Sequence, residues 1–179
     1  MSPAAAKALG NATAFHAIFF EEADEHLAAI EQVLLRIDPA APAAEDLNAI
    51  FRAAHSIKGT GGMLGFTEIA ALTHELESLL DLLRRGERAM TREDIDAMLR
   101  AGDVVKAQVA FRRGAANAAP DMSAVQEELA ALAVASEKLR RFAVTLLKRH
   151  PAKDSLRGKM ISCSLDTDFL TEVLSLQRV

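Results

Sequence analysis

The chain contains no tryptophan, no tyrosine and only one cysteine, Cys163. A lone thiol excludes an internal disulfide framework and any cysteine-rich metal site. No apolar run approaches the roughly 18 residues of a membrane span, and the N-terminus lacks a signal-peptide pattern. Positive charge is not in surplus either. The net charge of -4 leaves no basic footprint for nucleic acid. No alternating strand pattern appears. These absences leave a soluble cytoplasmic protein as the expectation.

What is present points to helices. Half of the residues are apolar, and charges of both signs are plentiful, as amphipathic helices around a core require. The length of 179 residues gives room for one core and a short appended segment. Apolar spacing and breakers predict five helices. The first runs from about Ala12 to Ile37, with Phe15, Ile18, Phe19, Glu22, His26, Ile30, Val33, Leu34 and Ile37 at helical spacing. Asp38-Pro39 and Pro42 end it. The second runs from about Ala44 to Leu64. The third runs from about Thr67, read as its N-cap, to Arg85, with Gly86 as the stop. The fourth starts at Thr91, where acids occupy the first turn, and ends near Arg113-Gly114. The fifth follows Pro120-Asp121 and ends near His150.

Short connections favour antiparallel neighbours. The expected fold is all-α: an up-and-down antiparallel bundle with a four-helix core plus a fifth helix. The bundle occupies 1–120. In the fifth helix, 121–150, Val125, Leu129, Leu132, Leu139, Ala143 and Leu146 follow 4-3 spacing, interrupted by the polar Ser136. That strip suits docking on the bundle or self-association as a coiled coil. Residues 151–179 read as linker and short tail, with no assigned role.

The segment AAHSIKGTGGMLGF, 53–66, carries the chemistry. Glycine costs about 1 kcal/mol relative to alanine in a helix interior, so Gly59, Gly61 and Gly62 in the second helix require a reason. The simplest is close approach of a large partner beside His55. At 100° per residue, His55 lies roughly 120° from the middle of the apolar stripe of Leu47, Ile50, Ala54, Ile57 and Leu64. It therefore sits on the flank. Gly59 and Gly62 fall within about 40° of it, and Lys58 about 60° away, with its ammonium in reach of the space before the imidazole. A cation beside a stripped-down patch suits a phosphoryl group.

On the third helix, Glu77 lies about 110° from the stripe of Leu72, Leu76, Leu79, Leu80 and Leu83. If the two helices pack antiparallel, Glu77 can accept from one nitrogen of His55. The other nitrogen is then left as the nucleophile. His74, three residues earlier, is more exposed. His16, His26 and His150 read as structural. No HExxH or clustered ligand spacing supports a metal site. GxxxxGK[ST] is absent, and the lysine precedes the glycines, so no ATP site is expected. The chain has no means of phosphorylating His55 from ATP unaided.

FRAAHSIKGTGGMLGF, followed by THELESLLDLLRRG, resembles the histidine-phosphotransfer (HPt) domain of CheA-type chemotaxis histidine kinases. FFEEADEHLAAIEQVLL looks like the first helix of that domain, and the resemblance spans roughly Ala12 to Ala118. It places the phosphorylated histidine at His55, the supporting lysine at Lys58, and the histidine and glutamate of the next helix at His74 and Glu77. Gly59, Gly62 and Gly65 match or neighbour the family's small-residue positions, and Met63 stands where threonine is usual. Gly59, Gly62 and Met63 are the expected docking residues.

The resemblance implies a phosphorelay intermediate of a two-component system. It also implies partners. The ATP-binding domain of a histidine kinase, in the same chain or another, would supply the phosphoryl group. CheY-like and CheB-like response regulators would receive it. ATP and Mg²⁺ would sit on the kinase domain and Mg²⁺ on the receiver, with no cofactor in this chain. A chemoreceptor cluster becomes a candidate location. The competing readings are a receiver-binding or dimerisation scaffold that is never phosphorylated, and a self-contained enzyme. The first would need none of His55, Lys58, His74 and Glu77, and the second lacks a nucleotide or metal site.

Overall fold

The computed structural model describes residues 3–134, all of whose regular structure is helical. Helix α1 spans Pro3–Arg36, α2 Ala44–Met63, α3 Thr67–Arg84 and α4 Arg92–Arg112. A fifth, α5, covers 123–134. Helix α1 packs on α2 and α4, and α3 packs on the same two, so the first four close into a ring. Pairs across the interfaces give the directions. Arg36 meets Asp46 while Phe19 lies against Gly61, so α1 and α2 are antiparallel. Gly62 faces Ala70 while His55 meets Glu77, so α2 and α3 are too. The bundle is all-α and up-and-down.

The core follows the periodicity. Leu27, Ile30 and Leu34 of α1, Ile50, Ala54 and Ile57 of α2, Leu72, Leu76 and Leu79 of α3, and Met98, Ala101 and Val105 of α4 are all buried. Phe15 and Ile18 depart from expectation: both are more than half exposed, at 59% and 52%. They fall on the α1 stripe that continues to Glu22. The seam that packs inward runs instead through Phe19, Ala23, Leu27, Ile30 and Leu34.

The α2–α3 corner determines where the site sits. Helix α2 ends in a Schellman motif: Gly65 N–H donates to Gly62 O at 3.2 Å and Phe66 N–H to Gly61 O at 2.8 Å. Gly65 has φ of +81°, which a side chain would strain. Phe66 is then delivered into an aromatic cluster, stacked on Phe19 at 5.0 Å and lying 4.9 Å from His16. The expected Thr67 cap is not formed. Phe66 occupies the N-cap position with no side-chain cap, and Thr67 is the first helical residue. Aromatic packing fixes the start of α3, so no hydroxyl cap is required.

Helix α4 begins as its sequence suggests. Thr91 and Asp94 form a reciprocal capping box. The buried Asp94 also takes Arg88 Nη2 at 2.7 Å, and Arg88 Nη1 reaches the Leu132 carbonyl at 3.2 Å. That link joins α4 to α5. Leu129 is fully buried in the same core, and Val125 and Leu132 pack against it. The described part of α5 thus lies on the bundle. Leu139, Ala143, Leu146, Ser136, His150 and Cys163 lie outside the described residues.

Candidate functional site

Helix α2 carries Ile50, Ala54 and Ile57 inward, which leaves His55 on the flank facing α3; its side chain is 61% exposed. Helix α3 runs back along α2 with Leu72, Leu76, Leu79 and Leu80 buried, so Glu77 stands at the margin of the interface. There the two side chains meet. His55 Nδ1 lies 2.8 Å from Glu77 Oε1. An ionised carboxylate only accepts, so Nδ1 carries the proton and Nε2 keeps its lone pair. An exposed imidazole with a free Nε2 is a nucleophile awaiting an electrophile.

The second oxygen of Glu77 is also taken. Lys58 Nζ lies 2.5 Å from Oε2. The sequence placed this ammonium in front of the imidazole; the structure places it behind, on the carboxylate. The reason is burial. The Glu77 side chain is only 12% exposed, and a charge so far from water needs a partner. Burial itself works to raise the pKa of Glu77. The bonds from Lys58 and His55 outweigh it and hold the carboxyl below its ordinary value. Glu77 is therefore an anion, bonded to His55 Nδ1 through one oxygen and paired with Lys58 through the other.

Two grooves flank this pair. One, of about 220 Å³, lies between α2 and α3 and is lined by Phe51, Lys58, His74, Glu77, Ser78 and Asp81. His74 is exposed there, beside Lys58 and Glu77. The other, of about 510 Å³, opens on the α1 side. Its walls include Glu22, Glu25 and His26 of α1 and His55, Gly59 and Met63 of α2. His55 faces this second groove. His26, expected to be structural, is part of this wall.

The three glycines divide by role. Gly61 is buried, and a Cβ there would already be in contact with Phe19 at 3.4 Å and Ile69 at 3.7 Å, which leaves no room for a longer side chain. A Cβ on Gly59 would meet nothing within 4 Å, and one on Gly62 would make only ordinary contact with Ala70 at 3.8 Å. Within the fold neither needs to be glycine. Met63 alongside them is 82% exposed.

A model of the Hpt domain family matches residues 14–135, well over half of the chain. The chain belongs to the Hpt family. Its relatives include the chemotaxis protein CheA of Klebsiella aerogenes, 40% identical over 149 residues, which are 83% of this chain and 23% of that protein. The chemotaxis protein CheA of Salmonella typhimurium is 50% identical over 95 residues, 53% of this chain and 14% of that one. The chain thus spans less than a quarter of the length of these curated relatives. In fold, the Hpt bundle is similar to the phosphorylated P1 domain of CheA3 from R. sphaeroides, crystallised in complex with CheY6. The TM-score is 0.61 at 24% identity, covering 68% of this chain and 97% of that one.

Phe51 is the residue of this Hpt site that sequence reading missed. Its ring stacks on the His55 imidazole. The signal was available: Phe51 lies four residues before His55, one turn away on the same helix face.

Proposed function

We propose that the protein is a phosphorelay intermediate of a chemotaxis-type two-component system, with His55 as the phosphoacceptor. The observation that carries this reading is the Nδ1 contact of His55 with the half-buried Glu77 carboxylate, which leaves Nε2 free on a side chain that is 61% exposed. Nε2 attacks the γ-phosphoryl of ATP held on a CheA-type kinase domain. The N–P bond forms, the bond to the bridging oxygen breaks, and ADP leaves. Nδ1 keeps its proton, so the phosphorylated ring is cationic and pairs with Glu77. An aspartate of a receiver domain then attacks phosphorus, and Nε2 departs as a neutral imidazole nitrogen.

Lys58 acts through Glu77, holding the carboxylate against the ring and offsetting its charge. His74 supports the same pair from the groove behind it. Positioning and charge placement are this chain's contribution. ATP and Mg²⁺ belong to the kinase domain, and Mg²⁺ to the receiver.

The docking face is the open surface beside His55. Gly59 and Gly62 leave the backbone uncovered, and Met63 of α2 and Phe15 and Ile18 of α1 stand exposed. Phe15 and Ile18 share the α1 stripe that brings Glu22 into the His55 groove. CheY-like receivers, and CheB-like ones with the same phosphoacceptor domain, are the partners this surface fits. Placement in a chemoreceptor cluster through the kinase belongs to the same reading.

The test is a chase. The protein is labelled with ATP, Mg²⁺ and a CheA-type kinase core, then mixed with a CheY-like receiver. The label should pass to the receiver. Met63→Glu should raise the receiver concentration needed for half-maximal transfer and leave labelling of the chain unchanged. A folded protein that takes no label from competent kinase cores would favour the scaffold reading instead.

A further inference from the structure

The hydrogen bond to Glu77 fixes one atom of the His55 ring and leaves the plane of that ring open. With 61% of its side chain exposed, the imidazole has few neighbours to hold it. Phe51 is one of them. Its ring lies nearly parallel to the imidazole, 16° apart in plane with centroids 6.1 Å apart, inside the range of offset aromatic stacks. Phe51 is half-buried, and it is tied down from α3. The guanidinium carbon of Arg84 lies 4.1 Å from the centroid of the Phe51 ring. Arg84 is itself held by Asp81, with Nη2 2.7 Å from Oδ1.

We propose that Phe51, steadied by Arg84, is a positioning residue that sets the plane of the His55 imidazole and so aims Nε2. The proposal rests on the reading of His55 as phosphoacceptor. The lone pair of Nε2 lies in the plane of the ring. In-line attack on phosphorus therefore depends on where that plane points. A hydrogen bond at Nδ1 permits the ring to swing about the Nδ1–Oε1 direction. A flat face against the ring opposes that swing. An aliphatic side chain would fill the space without presenting such a face, so shape and not apolarity is the requirement. Lys58, His74, Glu77 and Asp81 line the same groove as Phe51, and Arg84 lies over its ring.

The test uses the full chain with Phe51→Leu, Phe51→Tyr and Arg84→Met. Two quantities are read: steady-state phosphorylation by a CheA-type kinase core, and the Nδ1–H proton resonance of His55 by NMR without phosphorylation. Phe51→Leu should lower kcat about threefold to tenfold, in line with the strength of an aromatic pair, and leave KM for the kinase core unchanged. The Nδ1–H signal should broaden as its bond to Glu77 loosens. Phe51→Tyr should restore both, and Arg84→Met should lower kcat by a smaller factor.

Unchanged kcat and an unchanged Nδ1–H signal in Phe51→Leu would overturn the proposal. So would a change in KM alone, which would make Phe51 a docking contact. If Phe51→Leu does not fold, Arg84→Met decides by the same two readouts. If the unsubstituted protein takes no label, the phosphoacceptor reading has failed, and the NMR signal still decides whether Phe51 positions the ring.

Discussion

Glu77 Oε1 lies 2.8 Å from His55 Nδ1 while Oε2 of the same carboxylate lies 2.5 Å from Lys58 Nζ. One carboxylate thus serves two partners on the neighbouring helix, one turn apart. It sets the tautomer of the first and is itself held by the second. This makes Glu77 the hinge of the proposed chemistry, and its removal the most informative change short of removing His55.

Glu77→Gln keeps the shape of the side chain and removes its charge. A hydrogen bond to a charged group is worth about 1.5–3 kcal/mol, so phosphoryl acceptance should fall by about 10- to 100-fold. Single-turnover labelling by a kinase core checks this, with circular dichroism to show that the helices persist. Lys58→Ala should slow acceptance less, since the carboxylate remains. A Lys58→Ala loss larger than that of Glu77→Gln would mean that the ammonium acts on the phosphoryl group directly.

The same carboxylate gives the fold a pH signature. Its pKa is held below the ordinary 4.5. A group lowered in this way contributes its full stabilisation above the unfolded value, and loses it as pH falls through the folded one. The stability gap between the native protein and Glu77→Gln should therefore be full just above pH 4.5 and shrink as the solution is made more acid. Urea unfolding between about pH 5 and pH 3, below the range in which histidine titrates, reads the gap directly. A gap that widens on acidification would contradict the assignment.

Gly61 and Gly62 are adjacent and should behave as opposites. Gly61→Leu forces a side chain against Phe19 and should destabilise the bundle by about 1–3 kcal/mol. Gly62 is exposed, with only ordinary contact to Ala70, so Gly62→Leu should change stability little, yet obstruct transfer to a receiver. Thermal unfolding and a phosphotransfer chase on the same two variants separate the effects. Normal transfer by a folded Gly62→Leu protein would mean that the surface beside His55 is not the docking face.

The meeting of His55 with Glu77 could be read from the sequence because it depends only on helical angle and antiparallel packing. Both follow from local spacing and a short turn. The destination of Lys58 could not be read in the same way. It depends on how deeply Glu77 is buried, which is a property of the assembled interface. Phe15 and Ile18 show the same boundary from another side. Periodicity marks a residue as part of an apolar stripe, but α1 carries two such stripes, and only packing decides which one turns inward. Spacing alone does not separate Gly61 from Gly59 and Gly62, because its neighbour Phe19 lies forty-two positions earlier in the chain. Thr67 looks like a cap in the sequence, but the aromatic seat that makes Phe66 the N-cap draws on His16 and Phe19 of α1.

The most direct measurement is which nitrogen carries the phosphoryl group. The protein, labelled with ¹⁵N and phosphorylated by a CheA-type kinase core, would be examined by NMR for the ring nitrogens of His55. Phosphorus on Nε2 of His55, with the proton retained on Nδ1, is the result expected from the Glu77 contact. Phosphorus on Nδ1, or on His74 with His55 unmodified, would contradict the account.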